Sequence, residues 1–387
     1  MAIPFGIPEA SHLLRRAAAR GRRGEAEQLV NLGLEGAIAQ LLRPPVSPPP
    51  VTFDPANRSS EQTLARLWLE WWLTTPTPAA ERLVLFWHGH FTSEIREVRS
   101  PYSMWSQFQT FRNQGTGSFA DLLLAVARDP AMLVYLDNAT SRKTAPNENW
   151  ARELLELFTV GPGFYTEQDI LESARAFTGW TVRSLEEPRS PDRAFGRFEF
   201  TFNRSWADLN PKTYLGRTIQ SGEEVIEILA NHPQTYRFIA QKLLAFYFHP
   251  EPTALQIEMA ARVLQQDGCY GFLSWLFSRD FFYSKAARQS LIRSPVEYLI
   301  GLAHSAGLST LEQRITNALA LMGQVPFQPP GVKGWDGGKA WLGEPALLAR
   351  INLLSALTNQ SSSLDLSVFM DGGNLATELV KPEAQLL

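Results

Sequence analysis

Apolar residues recur at helical spacing over most of the chain. Residues 9–43 read as two short helices, broken by Gly21-Arg22-Arg23-Gly24. Ser60 to Leu73 puts Leu64, Leu67, Trp68, Trp71 and Trp72 on one stripe, the pattern of a core-facing helix. Pro78 opens the next helix, which runs towards Phe91, and residues 104–114 read as another. Ser118 is an N-cap residue for a helix stopped by Pro130, and residues 131–139 form a short helix after it. Seven further helical patterns fill most of the span from residue 223 to residue 357.

The period changes once. Around residues 195–203, Phe198, Phe200 and Phe202 alternate with Arg197, Glu199 and Thr201, which predicts a strand. Thr181 to Arg183 is a candidate partner for it. Pro44, Pro45, Pro48, Pro49, Pro50 and Pro55 exclude a helix and predict an extended strap. The expected fold is therefore mainly α, a single large helical bundle with a small β-hairpin insert near 181–204. An N-terminal helical arm (1–43), a Pro-rich strap (44–58), the main domain (59–360) and a tail (361–387) complete the expected organisation. No internal repeat is visible.

The densest polar patterning lies between Asn147 and Trp180. With about 100° per residue, Glu148, Asn149, Arg152, Glu153, Glu156 and Thr159 share one arc of a helix, and Trp150, Ala151, Leu154, Leu155, Leu157 and Phe158 share the other. Asn147 is the expected N-cap. Glu148–Arg152 and Arg152–Glu156 are i,i+4 pairs. A second helix starts at Thr166, with Asp169 completing a capping box. Glu172 and Arg175 lie on its polar face. Gly161-Pro162-Gly163 between the helices predicts a turn that folds them back on one another.

Two readings of this hairpin are open. Its polar faces are either exposed salt-bridge surfaces, each pair contributing about 0–1 kcal/mol, or the walls of a cleft. In a cleft, Glu148, Arg152, Glu153, Glu172 and Arg175 would be acid–base, ligand or anion-orienting groups, with Asn147, Asn149 and Trp180 as substrate contacts.

Two other constellations could join such a cleft. In His88-Gly89-His90 the imidazoles of a regular helix would point about 160° apart; only a helix end or an extended segment would turn both to one ion. With Glu153 they are the candidate ligands for a divalent metal, the cofactor this chemistry would suit. Around Lys333-Gly334-Trp335-Asp336-Gly337-Gly338 and Trp341, glycines permit close backbone approach and tryptophans offer stacking faces, so Lys333, Trp335 and Trp341 are candidate substrate contacts. This loop is not a P-loop, and neither HExxH, G-x-S-x-G nor a Rossmann fingerprint is present.

Composition narrows the field. The 387 residues are 44% hydrophobic and 19% charged, as in a globular chain. The net charge of −3 gives no support to nucleic-acid binding. The basic run Arg15, Arg16, Arg20, Arg22 and Arg23 reads as a solvated helix face. A single cysteine, Cys269, excludes an internal disulfide and Cys-rich zinc sites. With no apolar segment after a basic start and no run of the roughly 20 apolar residues that span a bilayer, the expected location is cytoplasmic.

Motifs in order along the chain resemble the bacterial domain-of-unknown-function family DUF-eighteen-hundred: HLLRRA (12–17), ERLVLFWHGHF (81–91), LLLAVARDPAMLVYLDN (122–138), NENWARELLELFTVG (147–161), YTEQDILESARAFTGW (165–180), KTYLGRT (212–218), RFIAQKLLAFY (237–247), SPVEYLIG (294–301) and GQVPFQPPGVKGWDGGKAWL. The resemblance implies no settled activity. It implies a neighbour resembling alkaline phosphatases and sulfatases, for which the chain would be a scaffold or maturation partner if it is not itself a hydrolytic or oxidative enzyme. Many members look exported, which this sequence departs from. The family's His-Asp pair before KTYLG is here Ala207-Asp208.

Overall fold

Several helix starts are written into the sequence as short polar residues placed three positions before an acid or amide. The computed structural model, which describes residues 3–51, 60–185, 196–288, 290–358 and 365, places helices where those signals stand. In chain order the helices before the first sheet are α1 (Ile7–Ala18), α2 (Arg23–Leu41), α3 (Ser60–Thr74), α4 (Pro78–His90), α5 (Ile95–Val98), α6 (Pro101–Gln114), α7 (Phe119–Ala127), α8 (Pro130–Tyr135), α9 (Asn149–Glu153) and α10 (Glu167–Ala176). After the sheets come α11 (Gly222–Ala230), α12 (Pro233–Tyr247), α13 (Ala254–Phe277), α14 (Lys285–Arg288), α15 (Pro295–Ser305), α16 (Gln313–Leu321) and α17 (Glu344–Thr358). Capping boxes close Thr166 on Asp169, Ser221 on Glu224, Thr253 on Gln256 and Ser294 on Glu297.

The expected insert is present: β1 (Trp180–Ser184) pairs antiparallel with β2 (Phe198–Phe202), with Val182 opposite Phe200. A second hairpin, which the periodicity did not reveal, joins β3 (Lys212–Tyr214) to β4 (Arg217–Ile219). Its strands are too short to show alternation. Leu215 (φ 46°) and Gly216 (φ 73°) turn between them, and the Leu215 N–H is held by Asp169 Oδ1 at 2.8 Å. The fold is mainly α with small antiparallel hairpins.

One buried cluster extends from Ala10 and Leu13 in α1 to Leu357 in α17. Trp68, Trp72, Trp87, Trp150 and Trp180 lie fully inside it. Helix α4 runs through this interior against α1, α3 and α6, and its side chains from Ala79 to His88 are all buried. The basic run of α1 and α2 departs from the expected solvated face. Arg16 and Arg20 are buried, and Arg20 donates to the carbonyls of Trp72, Leu73 and Thr75. Among the described residues no helix is long and apolar enough to cross a membrane. The expected tail lies outside the described residues except for Asp365.

Candidate functional site

The Asn147–Trp180 hairpin forms, and its turn needs its glycines: Gly161 (φ 77°) lies where an added Cβ would meet the Phe238 ring at 3.0 Å. The cap position of the first helix falls one residue later than expected, on Glu148. Asn147 Oδ1 nevertheless accepts from the Asn149 N–H at 2.8 Å, so its capping chemistry is retained. The Asn149 side chain donates to Asp137 at 3.2 Å.

After Glu153 the backbone widens into a π-turn over Leu154–Phe158. That extra width rotates everything beyond it, so Thr159 leaves the polar arc. It is fully buried and donates to the Leu154 carbonyl at 2.5 Å. Glu156 accepts from the Tyr165 hydroxyl at 3.3 Å. Arg152 turns instead to Glu167 at the start of α10, at 3.0 and 2.9 Å, while keeping Glu148 at 3.3 Å. This network is open to solvent, with the Arg152 side chain 36% and Glu167 74% exposed. The Glu167 hydrogen bonds, followed by the charges of Glu167 and Glu148, raise the Arg152 pKa further.

On α10, Arg175 bridges Glu172 at 2.6 Å and Asp208 at 2.9 Å. Asp208 is the acid of the Ala207-Asp208 pair. Close by, Lys212 is buried, and its ammonium donates to the carbonyls of Asp208 (2.7 Å), Asn210 (2.7 Å) and Gln220 (3.1 Å). These bonds clamp the loop that leads into β3. Trp180 is a core residue, packed edge-on to Phe177 at 5.1 Å and Phe200 at 5.2 Å.

Of the two histidines it is His90 that meets the hairpin, and from its apolar side. Helix α4 continues through Gly89, so the two rings point in different directions. His90 Nε2 bonds the Phe158 carbonyl at 3.1 Å and Nδ1 faces the Lys242 ammonium at 3.2 Å. A carbonyl can only accept and an ammonium only donate, so Nε2 carries the proton and the Nδ1 lone pair is used. His88 Nε2 accepts from the Phe327 N–H at 2.9 Å, which leaves the ring proton on Nδ1. Burial pushes the His88 pKa down to about 3. Burial, then the neighbouring Lys242 charge, holds His90 well below the ordinary range. Partial burial lowers Lys242 to about 8.

The ligand set His88, His90 and Glu153 is therefore not assembled, and these residues do not fit a metal. Each imidazole lone pair is already committed inside the fold. Among the described residues no group of three or more His, Cys, Asp or Glu is placed to hold an ion.

The glycine-rich loop also reaches α4. Gly334 (φ 80°) crosses so closely that an added Cβ would lie 2.5 Å from the Gly89 carbonyl oxygen, and the Trp335 ring sits edge-on to His88 at 5.3 Å. Thr92 donates to the Val332 carbonyl. Trp341 is buried. Lys333 points outward and pairs with Asp336 at 2.8 Å, both side chains more than two-thirds exposed at 77% and 72%. The three predicted constellations thus meet through backbone and aromatic surfaces rather than around a polar cleft.

Two polar features escaped the sequence reading. The first lies deep in the core. Glu81 accepts four bonds, from Arg112 Nε (2.6 Å) and Nη2 (2.7 Å) and from the indoles of Trp68 (2.8 Å) and Trp71 (3.0 Å). The repeated tryptophans of α3 were the available signal, because a buried indole N–H needs an acceptor. The second is an acidic rim. Tyr135 is pushed up to about 12 by burial and then by the charges of Glu94, Glu97 and Glu153. Burial, then Glu156, raises Glu153, against the opposing pull of Arg152. Burial raises Glu94, with a smaller push from Glu97. These carboxylates come from separate segments, so no local pattern in the sequence groups them.

Neither a curated protein nor a solved structure matches the chain significantly. The model of the family described as Protein of unknown function (DUF1800) matches residues 12–386, and the chain belongs to that family.

Proposed function

We propose that this chain is a non-catalytic partner of a phosphatase- or sulfatase-like protein, docking through the acidic rim around Tyr135. The reading is carried by four carboxylates from two segments, Glu94 and Glu97, and Glu153 and Glu156: after burial, the charges of Glu94, Glu97 and Glu153 raise the Tyr135 phenol, Glu97 raises Glu94 and Glu156 raises Glu153. Arg96 and Arg152 offset only part of this charge, Arg96 standing 3.9 Å from Glu94. A cationic partner surface would relieve the repulsion and gain charge complementarity. The commitment of both histidines to internal bonds supports a binding role over metal chemistry at these residues. The kind of partner follows from the family resemblance.

Co-expression with the phosphatase-like neighbour and size-exclusion chromatography test the proposal. Co-elution is expected at low salt and should weaken at high salt; Glu153→Lys combined with Glu156→Lys should abolish it. Co-elution indifferent to both salt and charge reversal would overturn the docking face.

The π-turn directly after Glu153 and the raised pKa of that carboxyl favour a second reading, in which Glu153 is a general acid of an enzyme. Glu153→Gln separates the two. A docking role keeps co-elution nearly intact, whereas an acid–base role loses turnover while binding persists.

A further inference from the structure

The junction of α1, α4, α15 and α17 buries more positive than negative charge. The guanidiniums of Arg16, Arg82 and Arg350 are at most 7% exposed, and the acid that reaches all three is Glu297, 6% exposed. That carboxylate is fully used. Oε1 takes Arg82, with Nε at 2.7 Å and Nη2 at 2.6 Å, and Oε2 takes the Ser294 N–H at 2.9 Å.

Arg16 has only neutral acceptors, the Ala287 carbonyl at 2.6 Å and Ser290 Oγ at 3.4 Å. Arg350 stacks over the Tyr298 ring at 4.8 Å and gives one bond to the Arg293 carbonyl at 2.8 Å. Its Nε and Nη1 are buried and have no hydrogen-bond partner among the described residues. Burial, followed by the charges of Arg82 and Arg15, depresses the Arg16 pKa strongly. Among the described residues, these three buried cations beside one carboxylate leave an excess of two charges. Buried charge is costly unless it is paired and hydrogen-bonded, so a counter-charge would stabilise this junction.

We propose that this junction binds a dianionic oxyanion, a phosphate or sulfate group, held by the unpartnered Nε and Nη1 of Arg350 with Arg16 as the second cation. Two negative charges match the excess, and oxyanion acceptors suit the unused guanidinium N–H groups. The junction lies on elements other than those of the proposed docking rim, so either can fail alone.

The full chain is titrated with inorganic phosphate, sulfate and phenyl phosphate against chloride at matched ionic strength, following melting temperature and calorimetric heat. A saturable rise in melting temperature with phosphate or sulfate is expected, and phenyl phosphate distinguishes an esterified ligand from the free ion. Arg350→Met should weaken binding at least about tenfold, as for loss of bonds to a charged group. It should not lower the melting temperature in oxyanion-free buffer, because it removes an unmatched buried charge. Absence of any saturable binding to the native chain overturns the site, and so does binding unchanged in Arg350→Met. Should that variant not fold, the calorimetric result on the native chain still decides.

Discussion

Glu81–Arg112 and Arg152–Glu167 are both two-point Arg–carboxylate contacts, but they differ entirely in setting. The first has both side chains 0% exposed and gathers two indole N–H groups around its carboxylate. The second stands at 36% and 74% exposure with water as its competitor. Coulomb attraction is weak in water and strong in the interior, yet desolvation grows with it. The buried pair is therefore a structural necessity once formed, while the exposed one is a surface feature free to serve recognition.

The sharpest way to break that contrast is Glu81→Ala. Leaving Arg112 and two indoles unpaired in the core should cost about 3–5 kcal/mol, read as a lower midpoint in urea unfolding. Replacing both members by apolar residues, Glu81→Leu with Arg112→Met, should restore much of the loss. If the single variant is as stable as the native chain, the pair is not the interior anchor described.

The histidines extend the contrast to pH. His88 and His90 are neutral in the fold and have lowered pKa values. Below about 6.5 the unfolded chain takes up protons that the fold refuses. Stability should fall by about 1.4 kcal/mol per pH unit for each histidine, down to the folded pKa, near 3 for His88. Urea midpoints measured from pH 7 to pH 5 check this, and His90→Gln should flatten the slope. A midpoint that rises towards pH 5 would contradict the buried neutral assignment. The smallest effect is expected at the surface: Arg152→Ala should change stability by about 0–1 kcal/mol, and a loss above that range would mean the network is not solvent-screened.

Much of the fold was legible because helix signals are local. Thr166 with Asp169, Ser118 before its apolar run, and the alternation of Phe198, Phe200 and Phe202 each need only neighbours in sequence to act. The β3–β4 hairpin was not, since three-residue strands carry no period and its turn leans on Asp169 from another element. The candidate site was legible as a set of residues but not as an environment. The amphipathic arcs of the hairpin were visible, yet the π-turn that removed Thr159 from the polar arc depends on how the helix end packs.

The sequence by itself determined the helices, their caps, the polar arc of Glu148, Arg152 and Glu153, and the impossibility of His88 and His90 sharing one ion on a regular helix. Those follow from 3.6-residue geometry and local hydrogen bonding. Only the tertiary structure decided which polar groups are inside. It put the Phe158 carbonyl and Lys242 on His90, spent Glu297 on Arg82, and left Arg350 with unused donors beside Tyr298. Burial and pairing depend on contacts between residues tens to hundreds of positions apart, and no local pattern carries that information.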